Sequence, residues 1–568
     1  MNSAFALDMT PLRGLPVLDH GRVKPIDTVA RESIQFITGC ESFGVVTTDG
    51  NSQQVSQPRD SLDLALDFAA HPVAWQTQPV LYVPLLALRS KLHMAESQEW
   101  IAPRTVMEDT EFTAWVNGLE QDRAAAEQNQ ETIFHADPAQ GRLEDAAIEL
   151  DSRLKMFEAA TDLSLYPVLP TSGADSNTWL AISQIVTLSG QDGEIARPIQ
   201  TAWSGVMNAY KQGDNAAFAA ASGQFIGSIH DVVGVNYFDA SRIAREVFYN
   251  WFKPFRWAWV IYLFAVVVLI SSLMRRGKLM YAAAMSVFAL AILFHVGAFA
   301  LRCSITGWAP VTNMYETVIW VAMMGAIFSF ILEMVYRQRT IAIGGAVVAL
   351  LAAVVADNMP PEYGNNIRNL TPVLRSNYWL TIHVLTIVSS YAAFALALVL
   401  GNIVLGQYIY GKSDPAVIRT NLLFTYRAVQ IGVLLVAAGT ILGGLWADVS
   451  WGRFWGWDPK EVWALIVLLT YLALLHGRHA GWIKQFGMAA GAVLCFTAVV
   501  MSWYGVNFVL GAGLHSYGFN TGGQGYVFTA VGIQWAYVLL ATFVHRGRQM
   551  AKAAHADEVP NALPVTGK

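Results

Sequence analysis

From Trp257 onward the chain is a succession of about nine apolar stretches, each long enough to cross a bilayer, and no other feature limits its fold as much. A span takes roughly 20 apolar residues, and a helix satisfies every backbone N–H and C=O within its own segment. The stretches are 257–274, 279–301, 315–336, 340–358, 379–410, 426–446, 461–477, 484–505 and 526–545. The predicted fold class is therefore all-α, a polytopic membrane helix bundle. With 54% hydrophobic residues, 14% charged residues and a mean hydropathy of +0.38, the whole is excluded from the ordinary soluble proteins. Polar residues are concentrated ahead of position 250. Three regions follow: 1–250, a mostly helical water-soluble domain; 251–548, the membrane domain; and 549–568, a tail.

The connections between spans alternate in character. Arg275 to Lys278, Tyr336 to Arg339, the segment with Lys412, Arg419 and Arg427, His476 to His479 and the tail from Arg546 to Lys552 are basic, which predicts the cytoplasmic side for them. Loops 302–314, 359–378, 447–460 and 506–525 then face outward, and the same parity puts residues 1–250 outside. Export of such a domain normally requires a leader. Met1 to Thr10 has no basic segment followed by an apolar one, so the true start is expected upstream.

The first region carries little chemistry. Ser61 to Ala70 and Arg142 to Ala160 space apolar residues three and four apart, as amphipathic helices do. Leu15 to Thr28 mixes turn residues with a helix cap at Asp27 or Thr28. His20, His71, His93, His135 and His230 are scattered and read as surface or packing histidines. Cys40, Cys303 and Cys495 form no C-x-x-C pair, which excludes a thioredoxin-type motif and a C-x-x-C-H attachment site in this chain.

Five tryptophans fall between positions 446 and 463, out of 19 in the chain. Helical spacing would set Trp451, Trp455 and Asp458 on one face, an apolar, π-rich surface with a polar handle suited to a flat, hydrophobic, partly charged ligand such as haem. An aromatic belt at a membrane surface is the competing reading. Ionisable groups in membrane spans carry a functional hypothesis because they are costly unless partnered, and four histidines qualify. His383 lies just inside the outer end of its span and His515 in an outward glycine-rich loop, so both share a membrane face with the tryptophans. Together they make a bis-imidazole haem site; singly, each reads as a hydrogen-bonded interfacial histidine. His476, at the inner end of its span, is either a snorkelling residue or a ligand that receives haem from the cytoplasm. His295 reads as a packed, hydrogen-bonded histidine, with a role in haem binding left open.

Trp451-Gly-Arg-Phe-Trp455-Gly-Trp457-Asp458-Pro459-Lys460-Glu461 resembles the WWD signature of haem-handling proteins, in the form found in the CcsA-type subunit of the cytochrome c synthase. Ala309-Pro-Val-Thr-Asn313-Met-Tyr315-Glu316-Thr317 is similar to the P-x-x-N-x-Y-E segment of the same family. The order His383, signature, His476, His515 is similar to the family's order of outer histidine, WWD loop, membrane histidine and second outer histidine. The resemblance covers about residues 255–548 and is weak before them, where only Gly21 to Thr28 is similar to segments preceding the synthase region in longer relatives.

The resemblance implies that haem b is carried across a bacterial cytoplasmic membrane and presented on the outer face to apocytochrome c, whose C-x-x-C-H thiols add to the haem vinyl groups. It also implies a CcsB-type membrane partner, which in the family supplies the second transmembrane ligand. His383 and His515 would be the outer axial ligands, His476 a ligand of the transmembrane haem site, and Trp451, Trp455, Trp457 and Asp458 the shelf that grips the macrocycle. On this reading the protein positions haem and limits access of water and oxygen, while haem and substrate supply the bond-forming groups. Arg453 and Lys460 either pair with the propionates or are solvated loop charges. Two other functions fit the same residues: a haem exporter or chaperone without synthase activity, and a multi-pass transporter of another hydrophobic solute.

Overall fold

The computed structural model describes residues 7–49, 52–128, 138–171, 178–234, 237–274, 277–309, 311–359, 366–367, 376–510 and 523–558. The chain forms two compact units, Met1–Phe252 and Lys253–Lys568.

The first unit is mostly helical, with amphipathic helices at Ser61–Ala70 and Pro138–Thr161 packed on one apolar core. Among the described residues it also holds four two-stranded antiparallel sheets, which apolar periodicity did not suggest. The first pairs Pro16–Asp19 with Arg22–Pro25 across His20 and Gly21, whose φ values of 46° and 75° form the two-residue turn that suits a twisted hairpin. Neither Asp27 nor Thr28 caps the helix that follows. That helix, Ile26–Thr38, is entered through Pro25 without a side-chain cap. Both residues lie in its first turn and are drawn into buried ionic contacts instead: Asp27 accepts from Arg13 and Arg31, and Thr28 donates to Glu246, which also takes both terminal nitrogens of Arg22 at 2.7 Å.

Among the described residues, nine helices of the second unit are long and apolar enough to cross a membrane. They are α1 (Pro254–Met274), α2 (Lys278–Thr306), α3 (Met314–Tyr336), α4 (Thr340–Asp357), α5 (Leu380–Tyr410), α6 (Pro415–Trp451), α7 (Pro459–His479), α8 (Gln485–Leu510) and α9 (Gln524–Ala553). The α9 helix runs on to Glu558, past the boundary drawn at 548. The central helix is α5, packed against α3, α6, α8 and α9. Its small residues Ser390, Ala392, Ala393 and Ala397 are buried, as expected where helices must approach closely without a hydrophobic drive from lipid. Phe394 on α5 stacks on Tyr471 of α7 with ring centroids 3.8 Å apart, and Gly432 of α6 leaves room for that Phe394 ring.

Among the described residues of the second unit, two segments are wound otherwise than as α-helix. Leu380–Val384, which carries His383, and Met501–Leu510 at the end of α8 are both wound as π-helix. Such windings are rare and recur at functional sites because they re-aim side chains.

Candidate functional site

The N-terminal ends of α3, α5 and α7 and the C-terminal ends of α6 and α8 meet at one end of the bundle and enclose a cavity of about 180 Å³. Its walls are mainly apolar, with Val384, Ile387 and Val388 from α5 and the aromatic rings of Tyr391, Trp446, Trp455 and Trp503. Val311, Leu380 and Trp446 form a small apolar cluster beside it, with Trp308, Trp320 and Trp379 packed around them.

His383 lines this cavity and is fixed by α6. Its Nδ1 lies 2.9 Å from Gly439 O, and a carbonyl can only accept, so Nδ1 carries the proton and Nε2 the lone pair. A hydrogen bond of this kind orients the imidazole of a metal-binding histidine. The ring also meets Trp446 edge-on at 5.6 Å. Gly443 lies directly beneath: a Cβ there would be 2.7 Å from His383 Cε1.

The tryptophan cluster is not one helical face. Helix α6 runs through Trp451 and stops at Gly452, which adopts the left-handed conformation with φ 67°, and α7 begins at Pro459. Trp455, Trp457 and Asp458 therefore sit on a loop and a helix cap, and the one-turn spacing that would align them with Trp451 is interrupted. Asp458 is 6% exposed and is the N-cap of α7, accepting from Lys460 N at 2.9 Å. Glu461 reaches back to Gly456 N and Asp458 N and completes the capping box. Of the cluster, Trp446 and Trp455 face the cavity. Trp451 stands beneath the Arg453 guanidinium, 5.9 Å away, and Trp457 is 72% exposed with φ 58°. Phe454 folds its ring against Gly444 of α6 and so draws the loop onto the bundle.

The segment similar to P-x-x-N-x-Y-E forms another wall through Val311, Thr312, Asn313, Met314 and Thr317; Pro310 lies outside the described residues. Asn313 caps α3 by accepting from Glu316 N. Glu316 is buried, accepts from Arg302 Nε at 2.8 Å and holds Thr312 through its backbone N–H and its hydroxyl. This pair anchors the wall.

The histidines separate. His515 lies outside the described residues. His476 is on α7, 15 residues beyond Glu461, which is roughly 22 Å along a helix rising 1.5 Å per residue. It is exposed near the opposite end of α7, its Nδ1–H donating to Leu472 O at 2.8 Å. His295 is fully buried, stacked on Phe299 and edge-on to Phe255 and Tyr262, with Nδ1 3.3 Å from Tyr262 Oη. That is the packed setting expected of it, and it does not line the cavity.

Sequence reasoning missed Tyr391, Trp503 and Asn507, and named Thr317 only as the end of the segment similar to P-x-x-N-x-Y-E. Trp503 and Asn507 stand four apart on the π-wound end of α8, with Trp503 Nε1 donating to Thr317 Oγ1 at 3.0 Å. Read from the sequence, Asn507 belongs to the loop from 506, but α8 runs on to Leu510, past the span drawn to 505, and so brings it into the bundle.

Residues 311–515, which include the wall segment, His383 and the tryptophan cluster, match the family model described as cytochrome C assembly protein. The chain is 26% identical to NrfI of Wolinella succinogenes over 537 residues, covering 88% of this chain and 53% of NrfI, so it spans about half the length of that relative. It is 33% identical over 252 residues to the cytochrome c biogenesis protein CcsA of Prochlorococcus marinus strain MIT 9301, covering 39% of this chain and 80% of CcsA. The CcsA of strain MIT 9303 is likewise 33% identical, over 264 residues and 82% of its length. The chain belongs to the cytochrome c assembly family, as a CcsA-type cytochrome c biogenesis protein.

Proposed function

We propose that this protein carries haem b to the outer face of a bacterial cytoplasmic membrane and presents it there, ligated by His383 and His515, for covalent attachment to apocytochrome c. The observation that carries this reading is His383: a histidine in an aromatic-walled cavity, with Nδ1–H committed to Gly439 O so that Nε2 is the nitrogen able to bind iron. The cavity fits haem chemically, with apolar and aromatic walls for the macrocycle and one lysine for a carboxylate. Haem is here the cargo. The chain's own part is to hold the iron, keep water away from the ring and leave one edge open to the incoming thiols.

The arrangement of basic connections supports the orientation. The cavity end carries the ends of α3, α5, α6, α7 and α8, while Arg337, Arg339, Lys412, Arg478 and Arg546 lie toward the other ends of their helices. In this orientation residues 1–250 and the tryptophan-rich segment 446–463 face outward, and residues 549–568 face the cytoplasm. Trp451, Trp455, Trp457 and Asp458 form or support the haem shelf, His476 receives haem nearer the cytoplasmic side, and a CcsB-type partner completes the synthase.

The test is product formation. The chain, co-expressed with a CcsB-type partner and an apocytochrome c in a bacterial strain lacking other maturation systems, should yield covalently haem-labelled cytochrome on denaturing gels. His383→Ala should abolish the label. Haem that is delivered but never covalently attached by the intact pair would instead favour the exporter reading.

A further inference from the structure

We infer that Lys460 is a carboxylate-binding residue that receives a haem propionate and so fixes which edge of the macrocycle faces outward. This rests on the haem reading above. Four ionisable side chains line the cavity among the described residues: His383, Tyr391, Lys460 and Glu461. Glu461 is an anion held in place by the loop: Oε2 accepts from Gly456 N and Asp458 N, while its buried Oε1 makes no hydrogen bond and is paired by charge with Arg453 Nη1 at 3.9 Å. Arg453 is thereby drawn toward Glu461 and over Trp451, and it does not line the cavity.

Lys460 is different. Its backbone N–H binds the Asp458 carboxylate, but its ammonium makes one long hydrogen bond, 3.4 Å to Trp503 O, and no ion pair among the described residues. An ammonium has three donors, and on an apolar wall the unused ones favour an anionic acceptor. The other polar groups nearby are engaged: Thr317 with Trp503 Nε1, Tyr391 with Ser502, and Asn313 with Glu316 N. Asn507 donates to Trp503 O, and its buried Oδ1, which can only accept, has no hydrogen-bond partner among the described residues; an ionised carboxylate has no proton to give it, so it is completed by a water or another donor that enters with the ligand. Haem offers two carboxylates on one edge and two vinyl groups elsewhere on the ring. Anchoring the carboxylate edge at Lys460 determines which vinyl positions remain accessible to thiols.

The experiment measures affinities of the full chain in detergent for ferric protoporphyrin IX and for its dimethyl ester, by optical titration, in wild type, Lys460→Met and Lys460→Arg. A charge-assisted contact is worth about tenfold to a hundredfold in affinity. Wild type should favour the free acid by that factor, Lys460→Arg should keep most of the preference, and Lys460→Met should bind both forms equally while holding the ester as wild type does, which also shows that it is folded. An unchanged preference in Lys460→Met, or no preference in wild type, would overturn the inference and leave the haem reading intact. Failure of wild type to bind either porphyrin would overturn both.

Discussion

Replacing Gly443 by alanine should uncouple His383 from iron without touching the histidine. The added methyl would lie 2.7 Å from Cε1, 3.1 Å from Nδ1 and 3.3 Å from Nε2. Ordinary contact needs close to 3.5–4.0 Å, so the ring must retreat by roughly 1 Å. That movement stretches the 2.9 Å hydrogen bond to Gly439 O towards its breaking distance and turns the lone-pair nitrogen off its line. Overpacking costs about 1–3 kcal/mol, and losing the partner that orients a metal-binding histidine typically costs about 10–100-fold in affinity. Haem titration of purified Gly443→Ala should therefore show affinity reduced by at least tenfold. The control is Gly443→Ala combined with His383→Gly: free imidazole, unattached to α5, should restore the low-spin spectrum if the cavity is otherwise intact. Wild-type affinity in Gly443→Ala would refute the claim that α6 positions this ring.

Further expectations concern the frame around the site. Asp458→Ala removes the cap of α7 and should lower stability by about 1 kcal/mol, seen as a reduced unfolding temperature. Arg302→Met leaves the buried Glu316 carboxylate without its counter-charge and should cost about 3–5 kcal/mol, largely recovered in the Arg302→Met, Glu316→Leu double variant. In the first unit, burial works to raise the Asp19 pKa, but the charge and hydrogen bond of Lys24, helped by His20, outweigh it and hold the carboxyl below its usual 3.8. Its ionised form therefore stabilises the fold above about pH 4, and that stabilisation is lost as pH falls through the lowered value. Asp19→Asn should flatten the acid limb of unfolding temperature against pH; a limb unchanged from wild type would count against this assignment.

The spans were legible because membrane helices advertise themselves by length and apolarity, and His383 because an ionisable residue in such a run stands out. Their ends were less so. The cluster from Trp446 to Trp463 reads as one aromatic unit, yet Gly452 in the left-handed region and Pro459 at a helix start divide it, and such backbone states leave only a faint sequence trace. Nothing in the sequence marks the π-wound turns that aim His383 and Trp503, since winding is decided by packing against α6 and α7. Likewise Arg302 and Glu316 stand out as charges in apolar surroundings, but their pairing appears only once α2 and α3 are side by side. The partnership of Arg22 with Glu246 joins residues far apart in sequence, beyond the reach of local periodicity, and the hairpin at His20 and Gly21 is local but its two four-residue strands are too short for an alternating pattern to register.

The central claim, a bis-histidine haem site built on His383 and His515, is tested most directly by the optical spectrum of the detergent-purified protein, oxidised and reduced, beside His383→Gly and His515→Gly with and without imidazole. A six-coordinate low-spin signal that disappears in each variant and returns with imidazole is the result this account predicts. A low-spin haem that persists in either variant without imidazole, or a protein that purifies without haem even alongside a CcsB-type partner, would contradict it.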